Sequence, residues 1–261
     1  MSRRDPQPDE ELGFLSHLIE LRARLLKAIA AVLLVLLALV PFANRLYSAL
    51  ARPLVERLPE GAHLVAIEVA SPFFTPLKLA FFAALFLAMP VVLYQLWAFV
   101  SPGLYRHEKR LAQPLLVSAV ALFYLGCAFA YFLVLPMVFR FLTSITPQGV
   151  AMMTDIGHYL DFVLVIFLAF GLCFEVPVAV VILVAVGLLT PAQLVKSRGY
   201  VIVGCFVVAA ILTPPDILSQ TLLAVPMCLL YELGVLAARF LVKPRAEGNE
   251  GIAHPSPRQE E

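Results

Sequence analysis

Residues 25–42 read LLKAIAAVLLVLLALVPF, an apolar run that contains a single charged residue. A helix needs about 20 predominantly apolar residues to cross the hydrocarbon core of a bilayer, so this run predicts a membrane span. The whole chain has the same character, because its 261 residues are 61% hydrophobic and only 14% charged. Soluble domains carry about 25% charged residues. The sequence therefore predicts an all-α membrane protein that crosses the bilayer several times.

Five further apolar runs predict five further helices, which makes six transmembrane helices in total. They cover residues 77–99, 115–141, 159–186, 200–212 and 217–240. The run 159–186 would be about 42 Å long as a straight helix, so we expect it to tilt or to kink near Pro177. The run 200–212 would be only about 20 Å long. We expect it to form a short hairpin with the helix that follows.

The segment between the first two spans, residues 44–76, should lie outside the membrane. Residues 48–58 mix polar and apolar side chains and are predicted to form a short amphipathic helix on the surface. Residues 71–76, Ser-Pro-Phe-Phe-Thr-Pro, are interpreted as a rigid aromatic turn that starts the next helix.

The distribution of lysine and arginine predicts the orientation. With an even number of spans, 14 of the 19 basic residues fall on one side, and this side includes both termini. Because cytoplasmic loops are enriched in Lys and Arg, both termini are placed in the cytoplasm.

A polar stripe leads into the first span. His17, Glu20, Arg24 and Lys27 recur at three- and four-residue steps, so they share one face of a helix. From the residues alone, Glu20 pairs with Arg24 and stabilises its own helix. The alternative is that Glu20 presents a carboxylate to a basic ligand.

The chain shows none of the motifs expected of an enzyme. It has no HExxH, no GxSxG and no glycine-rich phosphate loop. Its four cysteines lie in apolar runs without the spacing of metal ligands, and we interpret them as packing residues. We therefore expect no catalytic residue, metal or cofactor.

Several polar residues are candidates for binding. Glu175 lies near the middle of the fourth span, where an ionisable group is expensive and is a functional candidate by default. The alternative is a carboxyl hydrogen-bonded to another helix. Asp216 and Gln220 lie one turn apart at the start of the last span. They are interpreted either as helix-capping residues or as a polar patch for a second membrane helix.

Glu108 lies in a basic loop. It is interpreted either as a solvated charge or as an acceptor for guanidinium groups.

Taken together, the motifs resemble those of the TatC family, the polytopic core subunits of the twin-arginine protein translocase. Six stretches occur in family order between about Phe14 and Phe240. They are HLIELR at 17–22, VASPFFTP at 69–76, LYQLWAF at 93–99, LYRHEKR at 104–110, FEVP at 174–177 and LTPPD with SQTLLA at 212–224.

The resemblance implies a glove-shaped six-helix bundle with a concave face, N-in and C-in, in the bacterial inner membrane. It implies a receptor for the twin-arginine signal peptides of folded proteins, driven by the proton motive force. Its partners would be single-span TatA-like and TatB-like proteins and membrane lipid in an oligomeric complex, with no nucleic acid.

The resemblance also implies roles for individual residues. The peptide-binding residues would be Glu20, Arg22, Phe99, Tyr105, Arg106, His107 and Glu108. The intramembrane partner contacts would be Glu175, Asp216 and Gln220. The domain limits are an N-terminal cytoplasmic tail at 1–13, the six-helix domain at 14–243 and a disordered cytoplasmic tail at 244–261.

Two rival functions follow from the same residues. A proton-coupled secondary transporter would use Glu175 as its proton site, although the sequence shows no partner charge and no pair of broken helices. A membrane scaffold without cargo recognition would tolerate changes at Glu20 and Glu108.

Overall fold

The chain forms a bundle of helices. The computed structural model describes residues 8–55, 64–104, 112–144, 154–212 and 217–241. The α-helices are α1 (Pro8–Leu39), α2 (Ala43–Val55), α3 (Ser71–Leu104), α4 (Ala112–Phe129), α5 (Leu135–Ser144), α6 (Ile156–Cys173), α7 (Val176–Ala185), α8 (Pro191–Lys196), α9 (Arg198–Leu212) and α10 (Ile217–Leu241). A two-residue parallel ladder joins β1 (Leu64–Val65) to β2 (Thr154–Asp155).

Among the described residues, five helical stretches are long and apolar enough to cross a membrane. They are Leu18–Leu50, Ser71–Phe99, Gln113–Phe141, Ile156–Ala185 and Gln220–Leu241. α9 is apolar but has only 15 residues, which agrees with the short fifth run of the sequence. A chain with several such helices is a multi-pass membrane protein by length and composition.

Proline positions explain the breaks in two of these stretches. Pro177 has no N–H to donate to the carbonyl of Cys173, and the helix is interrupted at Phe174–Glu175 before α7 begins. The predicted kink is therefore confirmed. A π-helical turn, Ala130–Val134, separates α4 from α5 just before Pro136. There the N–H of Leu135 donates to the carbonyl of Ala130, the wider bond typical of such turns.

The prediction that residues 71–76 start the next helix is confirmed, although they belong to the helix itself and do not form a separate turn. α3 begins at Ser71, so these residues form its first turns. The N–H groups of Phe73 and Phe74 already donate to the carbonyl of Ala70 at 3.1 and 3.0 Å. A proline at position 72 is compatible with the helix because the first N–H groups have no intrahelical acceptor. The surface helix is also longer than expected, since α2 begins at Ala43.

Packing assigns the helix ends to two ends of the bundle. At the strand end, which contains β1 and β2, α2 packs against the starts of α3 and α6 through Tyr47, Leu79 and Leu160. The end of α9 and the start of α10 join this end through Ala209 and Leu223.

The other end of the bundle, here called the terminal end, is held by a second core cluster. This cluster joins the last turns of α3 and α10 to α8 and to the start of α4, with Trp97, Leu115, Leu194 and Val235 as members. Since α1 runs towards the strand end and packs along α3, its start also lies at the terminal end. The described part of the chain therefore begins and finishes at the same end of the bundle.

Candidate functional site

Glu20 is held in place by a guanidinium group on its own helix. The Nη2 and Nε atoms of Arg24 donate to Oε1 of Glu20 at 2.6 and 2.9 Å. The Glu20 side chain is 37% exposed and that of Arg24 25% exposed. The pairing predicted from the four-residue spacing is confirmed. Both bonds end on Oε1, so Oε2 is the oxygen that a second guanidinium could approach.

The end of α3 lies at the same end of the bundle as Glu20. Trp97 is buried in the cluster that also contains Leu115 of α4, and Phe99 is half-buried. These contacts anchor both ends of the loop that connects α3 to α4. The predicted site residues Tyr105, Arg106, His107 and Glu108 belong to this loop and lie outside the described residues. Arg22, on α1, is exposed.

Glu175 occupies the break between α6 and α7. Its N–H donates to the carbonyl of Leu172 at 3.0 Å, and its carbonyl accepts from the N–H of Ala179 at 2.9 Å. The side chain is half-buried, and its Oε1 atom is buried without a hydrogen-bond partner among the residues that the structure describes. A buried oxygen of this kind calls for a polar partner from a ligand, water or another chain. Within the described residues, the Glu175 carboxyl makes no hydrogen bond to another helix, which was the alternative interpretation.

Close glycine contacts support the break at Glu175. A Cβ on Gly126 of α4 would lie 2.5 Å from the carbonyl oxygen of Phe170 on α6. On the other side, a Cβ on Gly234 of α10 would lie 2.8 Å from Cα of Pro177. Only glycine allows backbones to approach so closely. The position of Glu175 is therefore fixed by α4 and α10 as well as by its own helices.

Gln220 connects the last two helices near the strand end. Its Nε2 atom donates to the carbonyl of Phe206 on α9 at 3.0 Å. This bond uses a polar side chain to hold the short α9 against α10. The predicted neighbour Asp216 lies outside the described residues.

Comparison with known proteins identifies the family. Residues 16–226 match the family model described as "Sec-independent protein translocase protein (TatC)". The chain belongs to the TatC family. It is 56% identical over 251 residues to the Sec-independent protein translocase protein TatC of Azotobacter chroococcum mcd 1, covering 96% of this chain and 98% of the relative. It is 54% identical over 242 residues to that of Escherichia coli strain K12, covering 93% and 92%.

Solved structures support the same assignment. A crystal structure titled as the twin arginine translocase receptor TatC superimposes with a TM-score of 0.77 at 39% identity, covering 86% of this chain and 98% of that chain. A second, described as being in DDM, gives 0.78 at 38% identity and covers 87% and 100%. The family resemblance stated from the motifs is thus confirmed. The TatC family is a family of translocase components, so this chain is assigned to protein transport and not to a known enzyme class.

One structural feature of this TatC family chain escaped the sequence analysis. Asp155 caps α6 by accepting from the N–H groups of Gly157 and His158 at 2.8 and 3.0 Å. Its other oxygen accepts from the N–H of Ile67 at 3.0 Å, 88 residues away. These bonds, that from Ile67 above all, hold the pKa of the Asp155 carboxyl below its usual range. The Asp-x-Gly-His pattern before an apolar run is a capping signal that could have indicated it.

Two ion pairs between helices were also missed. Arg198 of α9 meets Glu232 of α10 at 2.6 Å, and Lys78 of α3 meets Asp161 of α6 at 2.6 Å. Neither could be read from spacing, because their partners are 34 and 83 residues apart. Among the described residues, no three His, Cys, Asp or Glu side chains form a group that could hold a metal.

Proposed function

We propose that this chain is the receptor subunit of a twin-arginine translocase. In this function it binds the consecutive arginines of signal peptides on folded cargo through Glu20 and Glu108. The observation that carries the proposal is the geometry of Glu20, whose carboxylate already accepts two hydrogen bonds from a guanidinium. Membership of the TatC family and the likeness to two crystal structures of proteins described as twin arginine translocase receptors support it.

Energetics favour exchange of Arg24 for an arginine of the peptide. An exposed pair spaced i, i+4 on a helix stabilises by about 0.3–0.5 kcal/mol. A peptide with consecutive arginines can place one guanidinium on Glu20 and a second on Glu108, so it makes two such pairs where the internal arrangement makes one.

The chain is proposed to cross the bacterial inner membrane six times, with both termini in the cytoplasm. Three features support this topology: the excess of basic residues on the predicted cytoplasmic side, the start of α1 and the end of α10 at one end of the bundle, and the apolar α9 as a sixth span. The 15-residue length of α9 implies a locally thinned bilayer. Glu20 and the loop with Glu108 would then face the cytoplasm, where cargo arrives.

Glu175 is proposed to act after the arginines are bound, when the apolar part of the signal peptide enters the bundle. Its buried oxygen, which has no hydrogen-bond partner among the described residues, lies at the break between α6 and α7. The apolar part of a signal peptide would enter the concave side near it and supply a backbone or side-chain donor. Asp216 and Gln220 would contact single-span TatA-like and TatB-like subunits of an oligomeric complex. Transport would be driven by the proton motive force.

Peptide titration against the purified chain tests the arginine site. We expect Glu20→Gln and Glu108→Gln each to weaken a peptide with Arg-Arg by about 10- to 100-fold, the loss of one charge-assisted contact. Replacing Arg-Arg by Lys-Lys should weaken wild-type binding similarly, because lysine lacks the fork that matches a carboxylate. Glu68→Gln is the matched control, since Glu68 is an exposed acid at the strand end.

Photocrosslinking from positions 20 and 108 provides a second readout. Normal binding and crosslinking in both site variants would refute the receptor assignment and leave a scaffold without cargo recognition. Solute-coupled proton flux by the isolated chain in liposomes, abolished by Glu175→Gln, would instead support the secondary transporter.

A further inference from the structure

A cleft opens at the terminal end between the start of α9 and the last turns of α10. Its volume is about 220 Å³. Six residues with exposed or half-exposed side chains line it: Arg198, Leu229, Glu232, Leu233, Leu236 and Arg239. Neither the family assignment nor the proposed receptor function gives this cleft a role.

One wall of the cleft is an apolar stripe that points out of the bundle. Leu229, Leu233 and Leu236 follow each other at helical spacing on α10, and they are 59, 56 and 49% exposed. An exposed leucine stripe on a membrane helix contacts either acyl chains or another protein. At the terminal end of the bundle the leucine stripe gives way to the charged residues Arg198, Glu232 and Arg239.

The charged rim carries more positive than negative charge. Arg198 is held by Glu232 at 2.6 Å. Arg239 lies seven residues beyond Glu232, or about 10 Å along the helix. Inside the part of the chain that the structure describes, no ion pair involves Arg239. Two arginines and one glutamate leave the rim with one uncompensated positive charge.

Aromatic residues mark the level of the membrane surface. Tyr200, in the first turn of α9, is 84% exposed, and Phe240, beside Arg239, is 81% exposed. Tyrosine favours the interface between acyl chains and headgroups. The two arginines therefore lie at headgroup level, and the leucine stripe lies at the level of the acyl chains.

We propose that this cleft binds one anionic phospholipid. Its phosphate lies between the guanidinium groups of Arg239 and Arg198, and one acyl chain covers the leucine stripe. Basic pockets between membrane helices are a known arrangement for anionic headgroups. The uncompensated positive charge at the rim favours an anionic headgroup as the occupant of the polar end of the cleft.

Glu232 has a defined part in the proposed site. Its bonds fix Arg198 at the rim, but its negative charge opposes the phosphate. Removing that charge with Glu232→Gln should therefore tighten lipid binding, whereas removing the positive charge with Arg239→Gln should weaken it. If the leucine stripe only contacts acyl chains, neither substitution should change the affinity for the lipid.

Native mass spectrometry of the full chain tests the proposal. The purified, delipidated protein is titrated with phosphatidylglycerol or phosphatidylcholine in detergent. Wild type should retain phosphatidylglycerol preferentially, Arg239→Gln about fivefold less and Glu232→Gln about fivefold more, as expected for one charge near a headgroup. Arg45→Gln, which removes an exposed arginine at the strand end, should bind like wild type.

Three results would overturn the assignment. The first is equal retention of both lipids by wild type. The second is unchanged phosphatidylglycerol binding in Arg239→Gln, particularly if that variant loses a co-purifying membrane subunit, since the cleft would then hold a protein helix. The third is displacement of the lipid by an equal concentration of inorganic phosphate. Signal-peptide affinity should be the same in Arg239→Gln and wild type, so the lipid site and the receptor function can fail independently.

Discussion

The contact between α4 and α6 at Gly126 should tolerate no side chain. In Gly126→Ala the new Cβ would lie 2.5 Å from the carbonyl oxygen of Phe170 and 3.0 Å from Cβ of Phe174. Contacts under 3.0 Å essentially never occur, so the first separation must widen from 2.5 Å to at least 3.0 Å. Because the obstacle is the backbone of α6, it can be relieved only by moving a helix.

Two opposing effects decide the magnitude. Overpacking a well-packed core costs about 1–3 kcal/mol, and a backbone obstacle places this case in the upper part of the range. Alanine in place of glycine favours a helix by about 1 kcal/mol. The net expectation is a loss of about 1–2 kcal/mol in the free energy of unfolding. The control Gly204→Ala, on α9, meets nothing within 4 Å and should be neutral or slightly stabilising.

Thermal unfolding in detergent, followed by the loss of the monodisperse peak in size-exclusion chromatography, provides the assay. We expect a midpoint several degrees below wild type for Gly126→Ala and no decrease for Gly204→Ala. Because α6 leads directly into the break at Glu175, the first variant should also weaken crosslinking of the apolar part of a signal peptide. Equal midpoints for the two variants would refute the close-contact reasoning.

Three further outcomes are expected. Tyr231→Phe should destabilise by about 1 kcal/mol in SDS unfolding, since its buried hydroxyl donates to the carbonyl of Leu194 at 2.8 Å. A double-mutant cycle on Lys78 and Asp161, both nearly half exposed, should give a coupling of about 0.2–1 kcal/mol in the same measurement. The lowered pKa of Asp155 means that its stabilising contribution is complete above the unfolded value near 3.8 and is lost as the pH falls through the lower folded value. Protection of the β1 amides against hydrogen exchange, corrected for the intrinsic rate, should therefore be unchanged down to about pH 5 and should fall below pH 4. In Asp155→Ala this protection should be low at both pH values.

Local chemistry explains why several expectations from the sequence agree with the structure. The four-residue spacing of Glu20 and Arg24 is sufficient for a pair on any helix. The missing N–H of Pro177 interrupts a helix whatever surrounds it. The length of the fifth apolar run limits α9 to 15 residues. Each of these depends on residues less than about five positions apart or on the length of one segment.

Other features depended on partners that are distant in the chain. The two prolines of residues 71–76 suggested a turn at the start of the helix, but these residues belong to α3 itself, because the first N–H groups of a helix need no intrahelical partner. The hydrogen bond from Ile67 to Asp155 joins residues 88 positions apart, and no periodicity of the sequence predicts it. The basic loop made Glu108 a candidate, the family resemblance assigned it a role together with Glu20, and that role stays a prediction.

The sequence by itself determined that this is a multi-pass helical membrane protein of the TatC family. Apolar runs of span length and six ordered motifs are properties of the linear chain, so they need no coordinates. Only the tertiary structure decided that Glu175 has a buried oxygen without a described partner, at a break held by α4 and α10. Only it decided that Arg198, Glu232 and Arg239 share one cleft. Both depend on how closely two backbones approach, which is set by glycines and side-chain shapes packed across helices.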